Sequence, residues 1–223
     1  MTKIISIITA RSGSKRLKNK NIKKLKGKEL IYYTIKASTN CKHVDETYVD
    51  TDSKKIRKIS EKYGAKVPFL RVKKLSGSKS DSIETIKTFV KRLKRNNIEK
   101  DIIYVVLLQP TSPLRSKTHL ENAIKKFKKN KLKTSLVSVT KKPTMFFYKN
   151  TLVQRKNKFF FLNIKKKEDF KFNANGAIYI FKLKNLMTKK PFGKNILPFV
   201  MSAKDSVDID YQDDFDLAEK LIN

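Results

Sequence analysis

Ile102 to Leu108, reading IIYVVLL, is the most hydrophobic run in the chain, and it constrains the fold more than any other stretch. An apolar run with no polar alternation predicts a central strand, covered on both faces. Further strands are expected at Ile4–Ile8, Glu46–Val49, Ser135–Val139, Gly176–Phe181 and Leu197–Met201, with a short one near Lys66 to Leu70. Between them, apolar residues at helical spacing predict helices over 28–38, from Asp52 or Ser53 to Tyr63, from Asp81 or Ser82 onward, over 117–129 and over 213–222. Gly64 is a stop signal for the second, and Ile83, Ile86 and Val90 share one face of the third. Strands alternating with helices imply parallel β-α-β units with right-handed crossovers. Such sheets bind ligands at the carboxyl ends of their strands. The loops after Ile8, Val49, Leu70 and Leu108 should therefore share one rim.

The length of 223 residues suits one domain with a small appendage. Cys41 is the sole cysteine and His43 and His119 the only histidines, which excludes an intrachain disulfide and Cys- or His-rich metal sites. No apolar run approaches the roughly 20 residues of a membrane span, and no signal peptide is visible, so the cytoplasm is expected. The formal charge is +33, from 53 Lys+Arg against 20 Asp+Glu. Such a field attracts polyanions, and a non-catalytic nucleic-acid-binding protein is the alternative reading. Only eight of the cations are Arg, however, and the lysines are spread over helices and loops. Specific phosphate or base recognition leans on Arg forks in one stripe. No dedicated nucleic-acid partner is expected.

Four stretches carry chemistry. After Ile4–Ile8 comes Arg11-Ser-Gly-Ser-Lys-Arg-Leu-Lys-Asn-Lys-Asn21. Small residues there let backbone N–H groups approach phosphate oxygens, and the cations neutralise them. The spacing is neither that of a Walker loop nor that of a dinucleotide loop, and an ordinary surface turn is the other reading. Gln109-Pro-Thr-Ser-Pro-Leu-Arg115 follows the central strand, with two prolines fixing the backbone around polar side chains. In Asn175-Gly-Ala-Ile-Tyr-Ile180, a glycine at a strand entrance permits close approach of a ligand. In Asp205-Ser-Val-Asp-Ile-Asp210, Asp208 and Asp210 are two apart and share a face when extended. Two carboxylates together suit Mg²⁺ beside phosphates. Ion pairing with lysine is the alternative, the capping of the last helix falling better to Asp213 and Asp214.

These stretches, in this order, resemble the acylneuraminate cytidylyltransferase (CMP-sialic acid synthetase) family, including its CMP-legionaminate type. LLQPTSPLR, NGAIYI and DSVDID each match its pattern. The resemblance implies an α/β protein with a three-layer α/β/α, Rossmann-like nucleotide-diphospho-sugar transferase fold. It further implies a core over 1–140, a dimerisation arm over 141–172 and a return to the core over 173–223. The arm reading agrees with the aromatic residues Phe146, Phe147, Tyr148 and Phe159–Phe161, which would be exposed unless a second chain or a local β-layer covered them.

Carried over residue by residue, Arg11, Ser12, Ser14, Lys15, Lys20 and Asn21 form the nucleotide loop. Arg71 and Ser82 also lie on the nucleotide side. Gln109, Asn175, Tyr179 and Phe192 lie on the sugar side, with Lys165 reaching the neighbouring subunit's sugar. Asp208 and Asp210 hold Mg²⁺, and Arg11, Lys15, Lys20 and Asp210 are the catalytic set. The family commonly shows Gly and Pro where Arg16 and Lys18 stand, and a second arm cation where Met145 stands. The implied reaction joins CTP and an acidic nonulosonate, N-acylneuraminate or legionaminate, in a homodimer. A CMP-Kdo-type enzyme is the alternative, and pseudaminate is disfavoured.

Overall fold

The computed structural model describes residues 3–14, 16–72, 75–77, 81–131, 133–143 and 170–222. Its strands are β1 (Lys3–Thr9), β2 (Lys24–Leu25), β3 (Lys28–Glu29), β4 (Glu46–Asp50), β5 (Ile102–Leu108), β6 (Ser135–Pro143), β7 (Phe170–Lys182) and β8 (Ile196–Met201). β2 and β3 make a small ribbon, and the rest form one sheet in the order β4-β1-β5-β7-β6-β8. β4, β1 and β5 pair in parallel, as do β6 and β8, while β7 runs antiparallel to both its neighbours. The antiparallel strand follows from the chain path: β6 and β7 pair directly from Ser135↔Phe181 out to Pro143↔Phe170.

The helices are α1 (Leu30–Thr39), α2 (Lys54–Lys62), α3 (Ser82–Arg95), α4 (Lys117–Lys129), α5 (Leu183–Leu186) and α6 (Gln212–Leu221). They cover both faces because β1 and β5 alternate apolar residues to both sides. Ile4, Ile8, Val106 and Leu108 pack with Ile31 and Ile35 of α1, Ile56 of α2 and Leu120, Ile124 and Phe127 of α4. Ile5, Ile7, Val105 and Leu107 pack with Ile86, Phe89, Val90 and Leu93 of α3 and Leu186 of α5. Truncating any of these to Ala should cost about 2–5 kcal/mol. Local signals place the helix starts: Ser53 accepts from Ile56 N–H, Asp81 from Ile83 N–H and Ser116 from His119 N–H. Gly64 ends the α2 turn at φ 95°.

Three expectations change, the first being the parallel pairing, which gives way at β7. The strand near Lys66 to Leu70 reduces to one bridge, Lys66 with Tyr48, and Arg71 N–H then bonds Thr51 C=O. The first helix starts at Leu30, because Lys28 and Glu29 are spent on the ribbon. Lys15, Met145, Lys165 and residues 144–169 of the expected arm lie outside the described residues.

Candidate active site

A cleft of about 390 Å³ opens at the carboxyl ends of β1 and β5, lined among others by Arg11, Ser14, Arg16, Lys20, Asn21 and Arg71. Ser82, Gln109, Thr111 and Asp210 complete its wall. A hollow of about 500 Å³ lies at the other end of β5, over Val90, Ile102, Tyr104 and Leu183, with lysines as its only charged lining. The smaller cleft has convergent groups of both signs and is the candidate site.

The first loop is fastened from below. Ala10 N–H donates to Asp50 C=O at 2.9 Å, and Asn21 Nδ2 donates to Arg11 C=O at 2.9 Å. Ser12 does not line the cleft: its N–H and hydroxyl both donate to Asp52, at 2.8 and 2.9 Å. These bonds pin the loop to the end of β4. Arg71 lines the cleft while its Nε and Nη2 donate to Asp50 Oδ2 and C=O at 2.9 and 2.7 Å. Both side chains are about nineteen-twentieths buried. Burial still raises the Asp50 carboxyl above its ordinary value, although Arg71 opposes the shift.

The acidic segment docks on the proline-rich loop through Ile209 N–H to Thr111 C=O, 2.8 Å. Asp214 accepts from the N–H groups of Asp210 and Tyr211 at 2.9 and 2.8 Å, the capping role expected of that aspartate pair. Lys20 Nζ sits 3.1 Å from Asp210 Oδ1 and also donates to Ile209 C=O. Arg16 pairs with the other Asp210 oxygen and lies 5.4 Å over the Tyr211 ring. The two ends of the chain thus face each other across one cleft. Asp50 and Asp52 are site residues that the linear pattern did not assign to the site, and it gave no partner for Arg16. Their partners lie 194 residues away for Arg16 and 40 for Asp52, so no local signal marks them.

Asp208 is an exposed residue whose carboxyl lies beside Gly176 and Thr111. Desolvation raises its carboxyl; a Thr111 hydrogen bond lowers it, Asp210 raises it and Lys20 lowers it. On the β7 side, Gly176 is at φ 78°, and a β-carbon there would meet Gln109 Oε1 at 3.0 Å and Asp208 Oδ2 at 3.6 Å. The glycine lets these two groups converge. Asn175 does not line the cleft. Its Oδ1 accepts from Ser138 Oγ and Ala177 N–H, and its Nδ2 donates to Ser206 Oγ. Tyr179 packs on Phe192, with ring centroids 6.3 Å apart, and burial with the Asp208 field pushes its hydroxyl up to about 12. Phe192 also packs on Phe181.

Among the described residues no cluster of three or more Asp, Glu, His or Cys forms. Asp208 and Asp210 are close enough that one raises the other. A two-carboxylate donor set fits a hard cation that takes its remaining ligands from phosphate and water.

The Cytidylyltransferase family model matches residues 5–221. The chain belongs to the cytidylyltransferase family. The N-acylneuraminate cytidylyltransferase of Escherichia coli O18:K1:H7 is 38% identical over 227 residues, 97% of this chain and 51% of that protein. The CMP-N,N'-diacetyllegionaminic acid synthase of Legionella pneumophila is 35% identical over 226 residues, covering 99% and 96%. The chain thus spans about half the length of the first relative and nearly all of the second. The pseudaminic acid cytidylyltransferase of Campylobacter jejuni is 38% identical, over 131 residues covering 59% of this chain and 56% of that protein. Among solved structures, CMP:2-keto-3-deoxy-manno-octonic acid synthetase complexed with CTP superposes with a TM-score of 0.70 at 15% identity. It covers 99% of this chain and 98% of that one, a likeness of fold.

Proposed function

We infer that this cytidylyltransferase joins CTP to an acidic nonulosonate, N-acylneuraminate or legionaminate, giving a CMP-sugar and pyrophosphate. The observation that carries the reading is the meeting of Lys20 and Arg16 with Asp210 across the cleft. Relatives matched along nearly the whole chain bear nonulosonate names. The pseudaminate relative matches closely but over a shorter stretch, and the octonic-acid enzyme shares the fold at an identity too low to carry a substrate.

In the reaction the sugar's anomeric oxygen bonds to the α-phosphorus, and the α–β bridging P–O bond breaks. Pyrophosphate leaves with the electron pair, and the hydroxyl proton passes to a base. Arg11, Lys20 and, by its place in the loop, Lys15 hold the charge that grows toward pyrophosphate. Ser14, Asn21, Arg71 and Ser82 wall the nucleotide side, and Gln109 and Tyr179 the sugar side. Asp210 is the candidate base. A Mg²⁺ ion held by Asp208 and Asp210 would neutralise phosphate charge and ease ionisation of the sugar hydroxyl. We assign the enzyme to the cytoplasm as a homodimer joined through 141–172, with Lys165 offered to the partner's sugar; light scattering tests the dimer. Among the described residues no helix is long and apolar enough to cross a membrane.

A pyrophosphate-release assay with CTP, Mg²⁺ and a panel of nonulosonic acids tests the reaction. Release with N-acetylneuraminate or legionaminate is expected. Salt-sensitive RNA binding without release would favour the nucleic-acid reading instead.

A further inference from the structure

Arg115 is the largest fully buried side chain, 1% exposed, and no carboxylate pairs with it among the described residues. Its Nη1 donates to two carbonyls, Gln109 at 3.2 Å and Ala177 at 2.9 Å. The β5–β7 ladder runs from Tyr104↔Lys182 to Leu107↔Tyr179 and stops. Two steps further in the same register, Gln109 would stand opposite Ala177. The guanidinium occupies the place where the ladder would have closed.

β7 departs from regular pairing at the same point. Two steps along β6, from Val137 to Val139, answer five along β7, from Tyr179 back to Ala174. The surplus is a bulge at Asn175–Ile178, of the kind that re-aims side chains beside a site. From the β6 side Ser138 holds it, donating to Asn175 Oδ1 and accepting Ile178 N–H. From the β5 side Arg115 is its tie. Burial lowers the guanidinium to about 9, and among the described residues Nε and Nη2 have no partner. A buried cation with unfilled donors is a costly way to join two carbonyls if the join did nothing else.

We propose that Arg115 is a positioning residue for the sugar side, holding the fork between β5 and β7 open so that Gln109 and the Gly176 bulge meet the acid sugar in register. This rests on the reading of the cleft as a sugar cytidylyltransferase site. The nucleotide side is fastened independently through Asp50, Asp52 and Arg71, so the two sides can be separated in kinetics.

The test uses the full chain as wild type, Arg115→Met, Arg115→Lys, Gln109→Ala and the Met/Ala double variant. With CTP, Mg²⁺ and N-acetylneuraminate, Arg115→Met should lose about a hundredfold in kcat/KM for the sugar, with the KM for CTP within about twofold. Arg115→Lys should recover at least about tenfold of it, and the double variant should fall short of the product of the single losses. Hydrogen exchange of peptides over 105–112 and 174–181 reads the tie without turnover and should quicken about tenfold in the Met variant, β4 staying unchanged. Unchanged exchange there, or equal losses toward both substrates, overturns the proposal. Should the Met variant fail to fold, the Lys variant decides by the same split and the same exchange. A wild type that releases no pyrophosphate with either N-acetylneuraminate or legionaminate sinks the cytidylyltransferase reaction, while the exchange result still judges the tie.

Discussion

The β4-β1-β5 half of the sheet and the β7-β6-β8 half serve one cleft by different means. In the first, pairing is parallel, with its one register shift at Lys3/Ile4, far from the site, and the site sits in loops fastened by charge: Ser12 to Asp52 and Arg71 to Asp50. In the second, the strand itself is bent, and the site is made from backbone shape at Asn175–Ile178. A site built from loops is sensitive to lost charge. One built from a bulge is sensitive to added atoms, even a single methyl.

The two halves meet at Asp210, so its loss should be the most severe. Asp210→Asn is expected to lower kcat about a thousandfold while the thermal midpoint holds within a few degrees. Retained turnover would remove the acidic segment from the chemistry. Next, Arg71→Met strands a carboxylate that is nearly fully buried and should destabilise by roughly 3–5 kcal/mol in urea unfolding. Adding Asp50→Asn should restore part of that loss. If it does not, the nucleotide half is not fastened by charge.

On the other half, Gly176→Ala places a methyl 3.0 Å from Gln109 Oε1 at φ 78°. It should cost about a hundredfold in kcat/KM for the sugar, with CTP binding little changed. A matching rise in both KM values would erase the distinction between the halves. The smallest effect is one of sign. Asp208 has a raised carboxyl pKa in the folded state, so its contribution to stability is fully present below the ordinary value of 3.8 and lost as pH rises through the folded value. At neutral pH it is a net cost. Asp208→Asn should raise the midpoint at pH 7 by no more than about 2 °C, discounted for its open face. The gain should vanish as the pH falls toward 3.8.

The same contrast explains what the linear chain revealed. Ser53 and Asp81 were legible as caps because capping spans three residues. Ile102–Leu108 was legible as central because its apolar run has no wet face. The direction of β7 and its bulge were not, since Gly176 in an apolar run reads as an ordinary strand entrance until its neighbour's register is known. Ser12 and Asn175 were singled out for the ligand, and the structure shows both hydrogen-bonded to protein partners that folding brings from 40 and 31–37 residues away. Arg115 read as the tail of a turn, and only burial reveals it.

The Lys20–Asp210 contact spans 190 residues of chain. A polypeptide still emerging from a ribosome can fold the Ile4–Leu108 strands early and yet own half a mouth, cationic and without its acidic lip. Competence waits for the acidic segment, so the cleft of a nascent chain stays open on that side until Asp210 has been made.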